Sequence, residues 1–535
     1  MTTDATATAQ AAPPRDLFVR NATGLVRELS AFDAFNLVFS AVLVPMGFLG
    51  AMSFAPIFWP HANLFLAFLI AGPLMACFGL VYLYFTILMP RSGGDYVWVS
   101  RTLHPSVGFV VNVGLTYVFL TWVAFNFTLM INVLAPALAF VMGYDGAWLA
   151  SPSHTEAFIV VTVLTILYAA LMVIGVRRIA RFMAIFFVIV WVGIIVWAII
   201  LAFSGHSTFV SNWNSSESIN YDTIISKASA LGFNNTGGIS WSETLFAMVY
   251  AFNVYTGFQW TGYFAGEIKN VRRTATTSIL GALVASVAAY VLLALFVYNY
   301  YGQQFYGALV YLGLGGGAGQ VPLNFSPYIP DLIKFLPVPQ ILQIGLVLSF
   351  MLSVIWWTPA GFMLGTRNAF AWSFDKLAPS RLATVSDRFH TPVVATIFIA
   401  VVVEILNILN IYSSLAAWLL SVIWILGGAF VVVSFAAAIL PWRWPELHAK
   451  APGWARFKLV GIPAITLLAV VSGAAWAFVT WASFYTGSGG TFGLVPMLES
   501  GAVPIVAVLW YIGNSFYRRQ QGMQLGKLFQ QIPPE

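Results

Sequence analysis

Long apolar runs separated by short polar ones set the layout of this chain. A membrane-crossing helix needs about 20 mainly apolar residues. By that requirement the pattern predicts twelve spans, at 31–57, 63–89, 106–142, 156–175, 179–204, 242–265, 275–300, 338–372, 392–411, 414–441, 459–485 and 501–517. The third and eighth are long enough to tilt or to project beyond the bilayer. Two polar connections are long. Residues 205–241 are rich in Ser and Asn, and 301–337 carry the run Gly-Leu-Gly-Gly-Gly-Ala-Gly from Gly313 to Gly319. That run lacks the preceding strand and the following Lys-Ser/Thr of a phosphate loop, so it reads as a flexible external loop.

Two spans change character part-way. Span six starts apolar with Leu245, Phe246, Met248, Val249 and Tyr250, and turns polar at Asn253-Val254-Tyr255-Thr256-Gly257. It then resumes from Phe258 to Ala265 and ends in a basic cluster. Span one runs Ser40-Ala41-Val42-Leu43-Val44-Pro45-Met46-Gly47-Phe48-Leu49-Gly50 through its middle. Proline removes a backbone donor and clashes with the preceding turn. Alone, span one is equally well read as a proline kink. The two interrupted spans are, however, the first and the sixth. In transporters built from inverted repeats, interruptions at matching places in the two halves form the binding site. Spans 1–5 (31–204) and 6–10 (242–441) are then the repeats. Between them lies the external loop 205–241, and spans 11–12 (442–517) are appended. A second half-helix offers unpaired N–H groups and a positive dipole end to a carboxylate. A first half-helix offers carbonyls to an ammonium group. A zwitterionic amino acid matches both, and another small zwitterion or an organic cation would also serve.

Composition fixes the class. The 535 residues are 60% hydrophobic and 8% charged, with mean hydropathy +0.86, whereas soluble proteins carry about 25% charged residues. The chain is an all-α integral membrane protein. The single cysteine, Cys77, rules out an internal disulfide framework, and the six scattered histidines form no metal motif. No cofactor is expected, and no nucleic-acid partner; the expected partners are a small-molecule substrate and the bilayer.

Charge gives topology. With the N-terminus inside, 22 of the 24 Lys and Arg residues group in predicted cytoplasmic segments or at the span ends beside them, and only Lys227 and Lys334 fall outside. This predicts a cell-membrane protein with two cytoplasmic tails, 1–30 and 518–535. Asn214-Ser215-Ser216 and Asn234-Asn235-Thr236 match glycosylation sequons on the outer side.

Four stretches carry a family resemblance. Tyr263 to Arg273 (YFAGEIKNVRR) resembles the end of helix six in the amino acid–polyamine–organocation superfamily. Pro90 to Tyr96 (PRSGGDY), followed by His104 to Phe109 (HPSVGF), is similar to that family's loop between helices two and three. Gly175-Val176-Arg177 with Ala180-Arg181 resembles its loop between helices four and five. Arg367 to Pro379 (RNAFAWSFDKLAP), with Arg388 to Pro392 (RFHTP), resembles its segment after helix eight. The resemblance covers residues 30–440. It implies a five-plus-five inverted repeat of the LeuT-like kind. It also implies secondary transport of amino acids or related amines, by symport or antiport.

Carried over by position, Pro45, Met46 and Gly47 stand where the family usually has Gly-Ser-Gly. Pro45 has no N–H, so the carboxylate contact falls on Met46, Gly47 and neighbours such as Val44. Thr256, Gly257, Phe258 and Gln259 stand where it has a small residue, glycine, an apolar residue and often an acid. Gln259 cannot titrate, which resembles the exchanger branch. Asn253 replaces a frequent aromatic gate, a job left to Phe252, Tyr255 or Phe258. Span five holds no lysine in the place some members use to replace a sodium ion, so sodium, water or packing fills it.

Other polar residues have two readings each. Glu404 is an acid well inside a span, and such acids are functional suspects; it handles protons or sits near the outer interface. Ser349, Ser353 and Thr358 supply sodium ligands or bond their own helix. Thr121, Asn126 and Asn132 line a cavity or bridge helices. Trp356 and Trp357 wall the cavity or anchor in lipid. The coupling ion is thus a proton or sodium. A membrane enzyme would need clustered acids, a metal set or a nucleophile–base pair, which the sequence does not display. A receptor that binds substrate without moving it is a further alternative.

Overall fold

The computed structural model describes residues 27–529, apart from 145–148, 150, 234, 236–237, 387, 414–421, 487–493 and 524. Most of the N-terminal tail, the sequon at Asn234, the start of the predicted tenth span and the last six residues lie outside the described part. Among the described residues, ten helices are long and apolar enough to cross a membrane, with span one counted as its two halves together. The other two expected spans are the sixth, present as two short pieces, and the twelfth, Leu494–Gln520. The helices begin where their caps dictate. Ser30 and Asp33 exchange side-chain and backbone hydrogen bonds ahead of span one, and Ser153 and Glu156 do the same ahead of span four. Each box satisfies donors that a helix start leaves open.

Packing follows an exchange rule. Span one packs on span seven, and span six on span two; span five packs on span eight, and span ten on span three. Span three packs on span nine, and span eight on span four. Each of these contacts recurs when one span number rises by five and the other falls by five, the exchange expected of two five-helix repeats with spans one and six as counterparts. Span eleven, Ala464–Tyr485, lies on spans ten and two.

The long outer connections are more ordered than their composition suggests. They form helices His206–Ser216, Tyr221–Ala230 and Gln303–Leu314, which cap the end opposite the basic clusters. Their core is aromatic: Trp213 and Phe305 have ring centroids 4.9 Å apart, and Tyr221 stacks on Phe305 at 4.3 Å. Such rings sit at irregular spacing among Ser, Asn and Gly, so no apolar run announces them. Even the glycine run folds back, with Gly315 and Gly317 donating to the Tyr311 carbonyl. The predicted loop between spans two and three also holds a buried helix, Asp95–Thr102.

Candidate functional site

Both expected interruptions are present, each displaced slightly from its sequence position. In span one the first half is Ala31–Val42 and the second Val44–Phe58. The break is Leu43 alone, in a left-handed conformation with φ 48°, which is uncommon for a residue with a side chain. Val44, Pro45, Met46 and Gly47, expected as the break itself, form the first turn of the second half. Proline is tolerated there because a first-turn N–H has no helical partner. In span six the helix continues through Asn253 and Tyr255 and stops at Thr256-Gly257, where Gly257 has φ 126°. The second half, Phe258–Glu267, is a tighter 3₁₀ helix.

The freed carbonyls have found partners. Pro45 cannot donate to the Ala41 carbonyl, and the Trp357 indole does so instead at 3.0 Å. The Tyr290 hydroxyl of span seven lies 3.1 Å from the Val254 carbonyl and 3.5 Å from that of Val42. Gly257 N–H, freed from its helix, donates to Gln259 Oε1 at 2.8 Å. The two breaks touch: a Cβ at Gly257 would collide with the backbone of Ala41 and Val42. Likewise a Cβ at Gly47 would collide with the Tyr290 hydroxyl and press on Val254.

Three polar atoms beside this junction lack protein partners. Gln259 Nε2, Asn253 Oδ1 and Trp260 Nε1 are buried without a hydrogen bond. Buried polar groups are nearly always paired, so the two amide atoms are candidate contacts for a ligand. The Gly257 bond fixes the Gln259 amide with its NH2 as the free end.

The aromatic candidates pack against neighbouring spans. Phe252 packs edge-on against Trp476 of span eleven, and Phe258 meets Phe78 of span two. Tyr255 donates to the Phe68 carbonyl at 3.0 Å and packs on Tyr290. Trp356 and Trp357 are buried, so neither anchors in lipid; Trp356 donates to Asn36 Oδ1 at 2.9 Å. Ser349, Ser353 and Thr358 each donate to a carbonyl of their own helix. Gly193 of span five packs directly against Ser349. Thr121 and Asn126 also bond their own helix, while Asn132 lines an outer cavity of about 240 Å³ with His154 and Asn410. Glu404 lies between spans four and nine, accepting from Thr162 at 2.5 Å and from Asn407 at 3.1 Å.

The basic end is closed. Leu29 pairs with Ile268 as an isolated bridge, tying the segment before span one to the end of span six. Glu267 and Arg367 form a buried two-pronged ion pair at 2.6 and 2.7 Å. Asp95 accepts from Asn112 at 2.7 Å, from Tyr82 at 3.1 Å and, by a short bond, from Tyr263.

The family model of the amino acid permeases matches residues 41–525. The chain belongs to the amino acid permease family. Its role in general is amino acid transport, in a multi-pass membrane setting, with a small-molecule amino acid as substrate. No curated protein matches it. Sequence reasoning about this permease missed Tyr290, which sits in an uninterrupted apolar span with no local signal; only the folded chain brings it to both breaks.

Proposed function

We propose that this permease moves its amino acid by alternating access, holding the substrate between the breaks of spans one and six. The observation that carries this reading is the pair of unpartnered amide atoms at the junction. Gln259 Nε2 is a donor suited to a carboxylate, and Asn253 Oδ1 an acceptor suited to an ammonium group. The first turn from Val44 to Gly47 adds open N–H groups of Val44 and Met46 and a positive dipole end. Thr256, Gly257, Tyr255 and Phe258 shape the other wall. The basic end is cytoplasmic, the tails lie inside, and the host membrane is the cell membrane. An uncharged amide at Gln259 supports exchange in preference to proton symport through that position. The helix-bonded hydroxyls of Ser349 and Ser353, with Gly193 against Ser349, support packing in place of a sodium ion.

Exchange of radiolabelled amino acids across proteoliposomes tests the reading. It expects counterflow of at least one amino acid. Flux of polyamines or organic cations alone would change the substrate class, and tight binding without flux would make the protein a receptor. No uptake or exchange of any of these would overturn the proposal.

A further inference from the structure

Asp95 is a fully buried carboxyl in the segment between spans two and three. Three elements converge on it: span two through Tyr82, span three through Asn112, and the second half of span six through Tyr263. Gly93 N–H also reaches the Tyr263 carbonyl at 3.4 Å. Asn112 in turn accepts from Trp372 of span eight at 2.7 Å. The half-helix that carries Tyr263 begins at the Gly257 break.

The surrounding charges are engaged elsewhere. On its own segment Arg101 pairs with Asp375 at 2.6 Å, and Tyr96 donates to the same Asp375 at 2.9 Å. Arg91 bonds the Pro90 carbonyl. On spans six and eight, Glu267 is held by Arg367. On span ten, Arg443 reaches the Leu103 carbonyl at 3.4 Å. Asp95 is therefore surrounded by neutral donors. Burial lifts its carboxyl to about 6, against the downward pull of Tyr263, Asn112 and Tyr82.

We propose that Asp95 is a proton-binding site linked to the basic-end gate, holding a proton while that end is closed and releasing it when the second half of span six swings away. In the closed end, water is excluded and the carboxyl binds its proton more tightly than an exposed one, with a midpoint near pH 6. Opening hydrates the carboxyl and returns it to the ordinary carboxylate range, so the proton leaves to that side. By linkage, the state that binds the proton more tightly gains population as pH falls. Lower pH on the basic side thus holds the gate shut. Asn is a neutral mimic of the protonated acid and holds it shut at every pH. Nothing in the loop's sequence reveals this, because the burial of Asp95 is created by tertiary packing.

The proposal rests on the alternating-access reading, and its test separates the two. Amino acid exchange by the intact permease in proteoliposomes is measured with the basic-side pH set between about 7 and 5. Over that range the closed-to-open ratio is expected to rise roughly tenfold, with a matching fall in exchange. Asp95→Asn is expected to be slow at both ends and independent of pH. Tyr263→Phe, which removes a donor that favours the carboxylate, is expected to move the midpoint to higher pH. Glu404→Gln is expected to keep the wild-type profile. A wild-type profile in Asp95→Asn, or active wild-type exchange that ignores basic-side pH, would overturn the proposal. If wild type shows no exchange, the transport reading fails. Infrared difference spectra across the same range then still decide whether a carboxyl titrates in wild type and is missing in Asp95→Asn; no such difference would overturn the proton site.

Discussion

Tyr290 donates its hydroxyl to the carbonyl of Val254 at 3.1 Å, and the same oxygen lies 3.5 Å from the carbonyl of Val42. One side chain of span seven therefore meets the loose ends of both broken spans. Phe68 stacks on its ring at 5.0 Å and keeps it in place. Tyr290→Phe keeps the ring and removes the bond. A typical net hydrogen bond is worth about 1 kcal/mol, so exchange should fall roughly fivefold and thermal stability only slightly. Exchange rates and melting curves of the purified variant check this.

Gly257 sits so close to span one that the size of an added side chain scarcely matters. The sequence suggests that Gly257→Leu fills the site, abolishing transport while leaving expression largely intact. The structure gives a different expectation. Even Gly257→Ala drives its Cβ into the Ala41–Val42 backbone and must adopt φ 126°, a conformation L-residues rarely adopt. Alanine should therefore lower both stability and exchange, and leucine should reduce the yield of folded protein. Size-exclusion profiles and melting curves of the two variants decide between these pictures.

The amide of Gln259 does two things: Oε1 accepts from Gly257, and Nε2 is left for a ligand. Gln259→Glu keeps the acceptor and replaces the donor with a charged oxygen. Apparent affinity for an amino acid should drop at least tenfold, about 1.4 kcal/mol, with the fold retained. A ligand-induced thermal shift, titrated against wild type, measures the change.

Glu267 and Arg367 are almost completely buried and bonded at two points. Removing one partner of such a pair leaves an uncompensated charge and costs about 3–5 kcal/mol. Arg367→Ala should therefore destabilise the protein strongly, while Glu267→Gln with Arg367→Met together should be milder than Arg367→Ala alone. Melting curves of these variants test the asymmetry.

Asp95 also predicts a stability profile. Its folded-state pKa, about 6, lies above the usual carboxylate value. The stabilisation linked to its proton is fully present below the unfolded pKa and is lost as pH rises through the folded one. The apparent melting temperature should fall between about pH 4 and 7, and Asp95→Asn should flatten that slope.

The membrane class and the two interruptions were legible because they depend on local composition: a proline in span one, and a polar Asn-to-Gly run in span six. The boundary between break and helix was not, because it depends on what each freed group meets. Pro45 looked like the break and is instead a tolerated first-turn residue, with the strain carried by Leu43. The Trp356–Trp357 pair had two open readings, and its burial excludes lipid anchoring. Tyr290 and Asp95 carry no sequence signal for their positions. Each has at least one partner more than a hundred residues away: Tyr290 the carbonyl of Val42 in span one, and Asp95 the hydroxyl of Tyr263 in span six.

The most direct measurement is a structure of the purified permease with an amino acid bound. The account predicts ligand density between the first turn Val44–Gly47 and the Asn253–Gln259 segment, its carboxylate facing Met46 and Gln259 and its ammonium facing Asn253. Density confined to another place, such as the outer cavity beside His154, with the breaks empty, would contradict it.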